Sequence, residues 1–531
     1  MNETPDPRRA LPPIVRGMRW QFILLALVFL GIGLLYSRVS TTYFCSYDDF
    51  DEVHRAAFQD HVNPAEIFTT SHWRSYKYRP LNRGANYLTH ILSSGSASAF
   101  RVRNLLFHLI NVGLIFIIAR QLNLSPSGAL LAALIFGIHP MANQSVIGAV
   151  MTNTMAYTAY FGAIAAYFAA IGRRGIAGVR WIVLAVLAAA VALYLYDSAI
   201  AIFGLIGWAV LLYRWRRGSW PFDPRMRVIG ILATIAVFAS YALIRFLVVP
   251  RGTTGSSTEI ATLGMMIRNA VMYTVALINP LDLVLAHEWI GSPLPPDILL
   301  RRSLPMAVGA ILVAVFLVAM SGRIFVWFRR APETAKVVDV ERTLFLVAGI
   351  ILPLLPVLVL SSHPSETYLY ASAAFYALLL VSLATPVYGH LSENQRTVAR
   401  ACAVILIGLY SAATWERNSL VYECGVVANR IIRSITTGTE STFLVTDVGS
   451  ADAPAPYGYY RFAGLATIGD QGHAENAMTH AIQLVTGDTK TQARVVDWST
   501  LKRECPDNPG TACLMVYPDG HVTRYSNSAV R

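Results

Sequence analysis

"QFILLALVFLGIGLLYSRVSTTYFCSYDDFDEVHRAAF", residues Gln21 to Phe58, joins an uncharged apolar run to a knot of acid. The run Gln21–Tyr36, with its flanks, reaches membrane-spanning length, since a helix needs roughly 17–25 such residues to cross the hydrocarbon core. Asp48, Asp49, Asp51 and Glu52 follow soon after it. Similar apolar blocks recur along the 531 residues, of which 55% are hydrophobic and 14% charged. With a mean hydropathy of +0.48, these blocks predict a polytopic α-helical membrane protein instead of several soluble domains.

Eleven spans are expected: Gln21–Tyr36, Leu105–Ala119, Ala129–His139, Val146–Ile171, Trp181–Tyr196, Ile200–Tyr213, Val228–Val248, Leu304–Met320, Leu344–Leu360, Tyr368–Thr385 and Val398–Thr414. The stretch Ala261–Leu283 is apolar but interrupted by Arg268, Asn279, Pro280 and Asp282. If it does not span, the basic clusters at 8–19, 173–180, 214–227, 323–336 and 396–400 all fall on one side. Retention of Lys and Arg in the cytoplasm then puts residues 1–20 inside and the C-terminus outside. The formal charge of +12 is thereby explained by topology, and no basic stripe interleaved with aromatics points to nucleic acid. The basic, Pro-broken N-terminus precedes a long apolar run with no convincing cleavage site, which predicts an uncleaved first span.

The transmembrane domain is expected over 21–415, with a large outer loop at 37–103, too long to be a simple connector. From about Glu416 the composition turns soluble. "STFLVTDVG", "GYYRFAGL", "QARVVDW" and "ACLMVYPDGHVTRY" read as strands and "NAMTHAIQLV" as a helix, predicting a small extracytoplasmic α/β domain over 416–531. Cys505 and Cys513 bracket a turn-rich loop suited to a short disulfide, while Cys45 and Cys424 are either free or paired. No Cys/His cluster has zinc spacing.

Four groups on the outer side carry candidate chemistry. Were 47–58 to begin a helix, Asp48 would share a face with Asp51 and Glu52. Crowded, desolvated carboxylates raise one pKa and yield a base for a hydroxyl, and Asp48 and Asp49 would also suit a divalent cation. A solvated acidic helix start accounts for the spacing equally well. In "HWRSYKYRPLNR", Arg79 and Arg83, with Tyr78 and then Arg103, offer phosphate-gripping cations and sugar-stacking rings, or an ordinary interfacial belt. His139, followed by Pro140, ends a span and leaves an imidazole at the interface. In "SSHPSETYLYASAAF", His363, Glu366, Tyr368 and Tyr370 come to the outer surface at a span edge. A base, cations and aromatics on one face fit transfer of a sugar from a polyprenyl phosphate, an activated donor that explains the lack of any nucleotide-binding motif.

The order of these segments resembles the GT-C superfamily of polyprenyl-phosphate-sugar glycosyltransferases, especially the protein O-mannosyltransferase branch and its tetratricopeptide-bearing relatives. "YDDFDEVHRAAF" is similar to their acidic motif, "HWRSYKYRPLNRGANYL" to the W/RPL stretch, "FRVRNLLFHLINVGLIFIIARQL" to the second span, "AALIFGIHP" to the His-Pro end of the third, and "SETYLYASAAFYALLL" to E-R-Y-L-Y-x-P-S. The resemblance covers scattered segments of the first 415 residues. It implies an inverting transferase acting outside the cytoplasm, with an Asp of the acidic motif as base. Asp48-Asp49 matches the tetratricopeptide-bearing register and Asp51-Glu52 the O-mannosyltransferase one; the former lies closer to the first span. The chain departs at Gln144, Thr152 and Thr367, where the family often has an acid or Arg, and it carries no tetratricopeptide tail.

The expected partners are membrane lipids, a polyprenyl-phosphate sugar and a hydroxyl acceptor on protein, polysaccharide or lipid, in a bacterial inner membrane with the site facing the periplasm. Two other classes stay open. A transporter or flippase of lipid-linked sugars would show paired ionisable residues at midplane, for which Asp197 is the one candidate. A non-catalytic sensor or assembly subunit would carry acids that do not matter to turnover.

Overall fold

The computed structural model describes residues 19–45, 47–69, 78–248, 261–279, 333–359, 365–389, 391–435, 440–447, 471–505, 510–517 and 520–525. His363, the span Leu304–Met320, the stretch "GYYRFAGL" and most of "HWRSYKY" lie outside these residues. Longer helices run as α1 (Arg19–Tyr36), α2 (Tyr47–Arg55), α3 (Pro80–Ser93), α4 (Ala97–Gln121), α5 (Pro126–Gly137), α6 (Asn143–Ile147), α7 (Asn153–Ala170), α8 (Gly175–Leu195), α9 (Ala201–Arg217) and α10 (Pro224–Val248). They continue as α11 (Leu263–Ile278), α12 (Glu333–Ile351), α13 (Tyr370–Gly389) and α14 (Glu393–Ile435). Among the described residues seven helices are long and apolar enough to cross a membrane, or eight if α5 and α6, bent by 56°, form one broken span. Outward faces such as Leu27, Leu30 and Leu34 of α1, or Ile231, Leu232 and Ile235 of α10, are exposed. Such faces suit contact with hydrocarbon.

The bundle core forms where small residues let backbones approach. Ala156, Ala163, Ala166 and Ala170 of α7 are all fully or almost fully buried. A satisfied polar knot fixes α4 against α5, α7 and α13. His108 Nε2 lies 3.0 Å from the Gly137 carbonyl, so that nitrogen donates and Nδ1 accepts from the Tyr370 hydroxyl at 2.7 Å. Asn111 donates to Tyr370 Oη and to the Thr154 carbonyl, and accepts from Thr158. Tyr370 therefore points into the bundle and not to the outer surface, where the sequence reading puts it.

Cations and rings mark one end of the bundle. Arg173 sits over Trp181, Arg214 and Arg227 over Trp220, and Arg217 over Tyr213. Helix α11 is a shorter apolar helix that meets the bundle near both of its ends. Its leading Ala261 N–H donates to the Val359 carbonyl, and Leu277 near its far end has its backbone beside His139.

Beyond the bundle, β1 (Thr442–Asp447), α15 (Gln471–Thr486), β2 (Gln492–Val495), α16 (Trp498–Glu504), β3 (Thr511–Val516) and β4 (Val522–Arg524) follow α14. The sheet order is β2-β1-β3-β4, parallel except for β4. Asp497 caps α16 by accepting from the Thr500 N–H at 2.6 Å. Cys505 and Cys513 form a disulfide. Glu416, where composition changes, falls inside α14, which runs on for 43 residues without a break. Its last turns share one core with the sheet and the acidic segment: Ile431, Ile432, Phe443 and Met478 pack with Phe44, Phe50 and Phe100.

Candidate active site

Helix α2 begins with Asp48 and Asp49 in its first turn and ends with His54 and Arg55, a charge order that suits the helix dipole. Neighbouring positions have very different surroundings. Asp49 is 1% exposed; its Oδ2 accepts from the Cys45 N–H at 3.2 Å and Oδ1 from the Val150 N–H at 3.3 Å. Arg101 Nη2 stands 3.9 Å from the same carboxylate. That guanidinium, also buried, donates to the carbonyls of Thr42 and Ile147. Asp49 thus ties the acidic helix to the start of α4 and the segment after α6. One residue earlier, Asp48 is only partly buried.

Asp51 and Glu52 share Arg55, at 3.5 and 3.1 Å. Helix α15 covers this side. His480 Nδ1 lies 3.3 Å from Asp51, and its ring stacks on His54 with centroids 3.9 Å apart. Gln483 gives its amide N–H groups to the carbonyls of Thr489 and Thr491, so its oxygen faces His54 at 2.6 Å and His54 Nε2 must carry the hydrogen. Burial pushes the Glu52 carboxyl up to about 7; Arg55 opposes this, while Asp51, Asp48 and Asp60 add repulsion. Burial, then His480, pushes His54 down to about 4, against the pull of Gln483 and Asp51.

These two groups couple folding to pH with opposite signs. Glu52 binds its proton more tightly when folded, so its contribution is full below about pH 4.5 and fades as pH rises through about 7. His54 contributes fully above about pH 6.5 and loses its contribution as pH falls through about 4. Glu52→Gln removes the acid-favouring member alone. Its thermal midpoint in detergent should therefore fall more steeply than that of wild type between pH 6.5 and 4.5. Parallel profiles would refute this account of the pair.

The arginines divide in the same way. Arg83, 4% exposed, forms a buried ion pair with Asp60 and donates to the Glu66 carbonyl at 2.9 Å. Arg103 donates to Asn86, Thr89, Asn104 and the carbonyls of Ala85 and Ala149. Arg79 uses Nε on Asp197 at 3.1 Å and rests on the Tyr196 ring, while Asp197 also accepts from Tyr241 at 2.8 Å. Burial opposes the Arg79 charge, but Asp197, Tyr196 and Tyr368 outweigh it and hold its pKa above the ordinary value. Tyr78 packs beside this pair against Tyr194 and Tyr241, and its hydroxyl donates to the Phe68 carbonyl.

Glu366 is buried against Arg417 of α14 at 3.2 Å. Gln144 fills the place of the expected acid, accepting from Ser365 Oγ and the Thr367 N–H, while Tyr368 stays partly buried. His139 is fully buried: Nδ1 accepts from the Met141 N–H and the ring packs on Tyr410 and Tyr376. It caps the turn after α5 and does not present an imidazole at the interface. Asp197, Gln483, Arg417 and His480 all take part, yet nothing local in the sequence pairs them with residues 51 to 429 positions away. Among the described residues no group of three His, Cys, Asp or Glu is arranged to hold a metal. Asp49 does not fit a cation, since its oxygens already face two N–H groups and a guanidinium.

No protein-family model matches the chain, and no curated protein matches it. Solved structures give a distant likeness. The apo oligosaccharyltransferase of Archaeoglobus fulgidus is 12% identical with a TM-score of 0.48; 90% of this chain aligns, spanning 64% of that one, under two thirds of its length. ArnT from Cupriavidus metallidurans bound to undecaprenyl phosphate is 13% identical with a TM-score of 0.48, covering 94% of this chain and 93% of that one. Likeness at this level assigns no site.

Proposed function

We propose that the chain is an inverting glycosyltransferase that moves a sugar from a polyprenyl phosphate to a hydroxyl on protein, polysaccharide or lipid. The observation that carries this reading is the division of labour at the start of α2. Asp49 pins the helix through buried contacts, and Asp48, one residue away, keeps access to solvent. Asp48 takes the proton of the acceptor hydroxyl. The hydroxyl oxygen attacks the anomeric carbon opposite the phosphate, and the carbon–oxygen bond to phosphate breaks with its electron pair leaving on phosphate. Configuration inverts, and the phosphate needs only a cation to stabilise its charge. Arg79 suits that role because, among the described residues, its hydrogen bonding runs through Nε, whereas Arg83 and Arg103 are spent on protein acceptors. Burial raises the Glu52 carboxyl to about 7, but that carboxyl is shut in beneath Arg55.

The eleven-span arrangement of the resembling O-mannosyltransferases, with a cytoplasmic N-terminus and the site and sheet domain in the periplasm of a bacterial cell, completes the proposal. It is supported by contacts that bring the expected outer loops together: Arg79 with Asp197, Arg101 with Ile147, and Gln144 with Ser365. Asp197, the transporter reading's candidate, pairs with Arg79 and accepts from Tyr241, so donor turnover is what separates the two readings.

The test uses purified chain in lipid with a panel of polyprenyl-phosphate sugars and a cell-envelope extract, following release of polyprenyl phosphate. Sugar-selective release is expected, and Arg79→Lys should raise the donor KM about tenfold by exchanging a planar fork for a point charge. Binding of a donor without turnover would overturn the proposal.

A further inference from the structure

The cysteines Cys45 and Cys424 are 379 positions apart in sequence and meet in the interior. Both are buried, at 8% and 1% exposure. The Cys424 thiol donates to the Cys45 carbonyl at 3.4 Å, which brings the two thiols close enough to perturb each other. The surrounding junction is tight. The Thr42 hydroxyl donates to the Tyr422 carbonyl at 3.0 Å, and a Cβ on Gly425 would stand 2.6 Å from the Tyr43 carbonyl. Helix α14 therefore approaches segment 42–45 backbone to backbone, with two thiols at the contact. Cys45 is also part of the node that starts the acidic helix. Its N–H bonds Asp49, and its sulfur lies 3.6 Å from Arg101 Nη2.

We propose that Cys45 and Cys424 are the site of a second disulfide, which staples α14 to the segment carrying the acidic helix. The inference rests on the outer placement of this end of the bundle, where disulfides persist, and goes beyond the transferase reading itself. The oxidant is a disulfide-bonded thiol oxidoreductase. One cysteine thiolate attacks its disulfide, the second displaces the mixed disulfide, and the oxidoreductase leaves as a dithiol holding both electrons and both protons. Because the thiols are shut in once α14 has docked, the exchange accompanies docking. The finished bond should resist mild reductant applied to the folded protein.

The chain has five cysteines, which turns the test into a count. The full-length protein is blocked with maleimide at lysis, denatured without reductant, and its remaining and labelled thiols are counted and mapped by mass spectrometry. The expected result is one thiol, Cys402, with a linked Cys45–Cys424 peptide lost on reduction. Cys424→Ser should give two thiols, Cys45 joining Cys402, with Cys505–Cys513 still linked. Three thiols in wild type, with Cys505–Cys513 intact, would overturn the staple and leave the outer placement standing. Five would overturn both together.

Discussion

Asp48→Asn should lower sugar-dependent release of polyprenyl phosphate by about three orders of magnitude, near the middle of the range a general base supplies. That factor corresponds to about 4 kcal/mol of transition-state stabilisation. The change keeps the shape of the side chain but turns one acceptor oxygen into an NH2 donor and removes its ability to take a proton. Because Asp48 is only partly buried at the start of α2, the thermal midpoint and donor binding should stay close to wild type. The combination separates loss of chemistry from loss of fold. If turnover survives in Asp48→Asn and disappears in Asp51→Asn, the base belongs to the other register of the acidic motif.

Asp49→Asn should fail in a different way. The carboxylate accepts two backbone N–H groups and faces Arg101, all in the interior. An amide has one oxygen to offer; its NH2 end must then face a second donor, and the guanidinium loses its counter-charge. Removing one member of a buried charged pair costs about 3–5 kcal/mol. Folded yield in detergent and thermal midpoint should both drop, and donor binding should fall along with turnover. A stable Asp49→Asn protein that binds donor and turns over none would instead make Asp49 the base and reverse the division of labour proposed for this helix.

The sequence makes the elements visible where the signal is local. The apolar run of α1, the acidic helix start after it and the short apolar runs of β1 and β3 need only near neighbours, and each element lies on the stretch that signals it. The residue types of the site were legible too, but their roles were not. Asp49 and Asp48 are indistinguishable in a string, and what separates them is Val150, a hundred positions on. Arg83 reads as a phosphate ligand until Asp60 is seen against it. His139 and Tyr370 stand at span ends and yet turn inward, because partners from α13 and α14 or α4 complete their surroundings. The change of composition at Glu416 marks no change of backbone, because the helix runs unbroken through it.

That unbroken backbone has a mechanical meaning. At 43 residues α14 is a rod about 65 Å long whose inner half is set by the bundle and whose outer half carries the sheet. Every residue added along it would lift the sheet by about 1.5 Å and swing it by about 100°. His480 and Gln483 would then leave the face of α2, and Cys424 would turn away from Cys45. The length of this helix thus acts as a phase setting. Related chains should vary it by whole numbers of turns, or else break the rod and hang the sheet on a hinge.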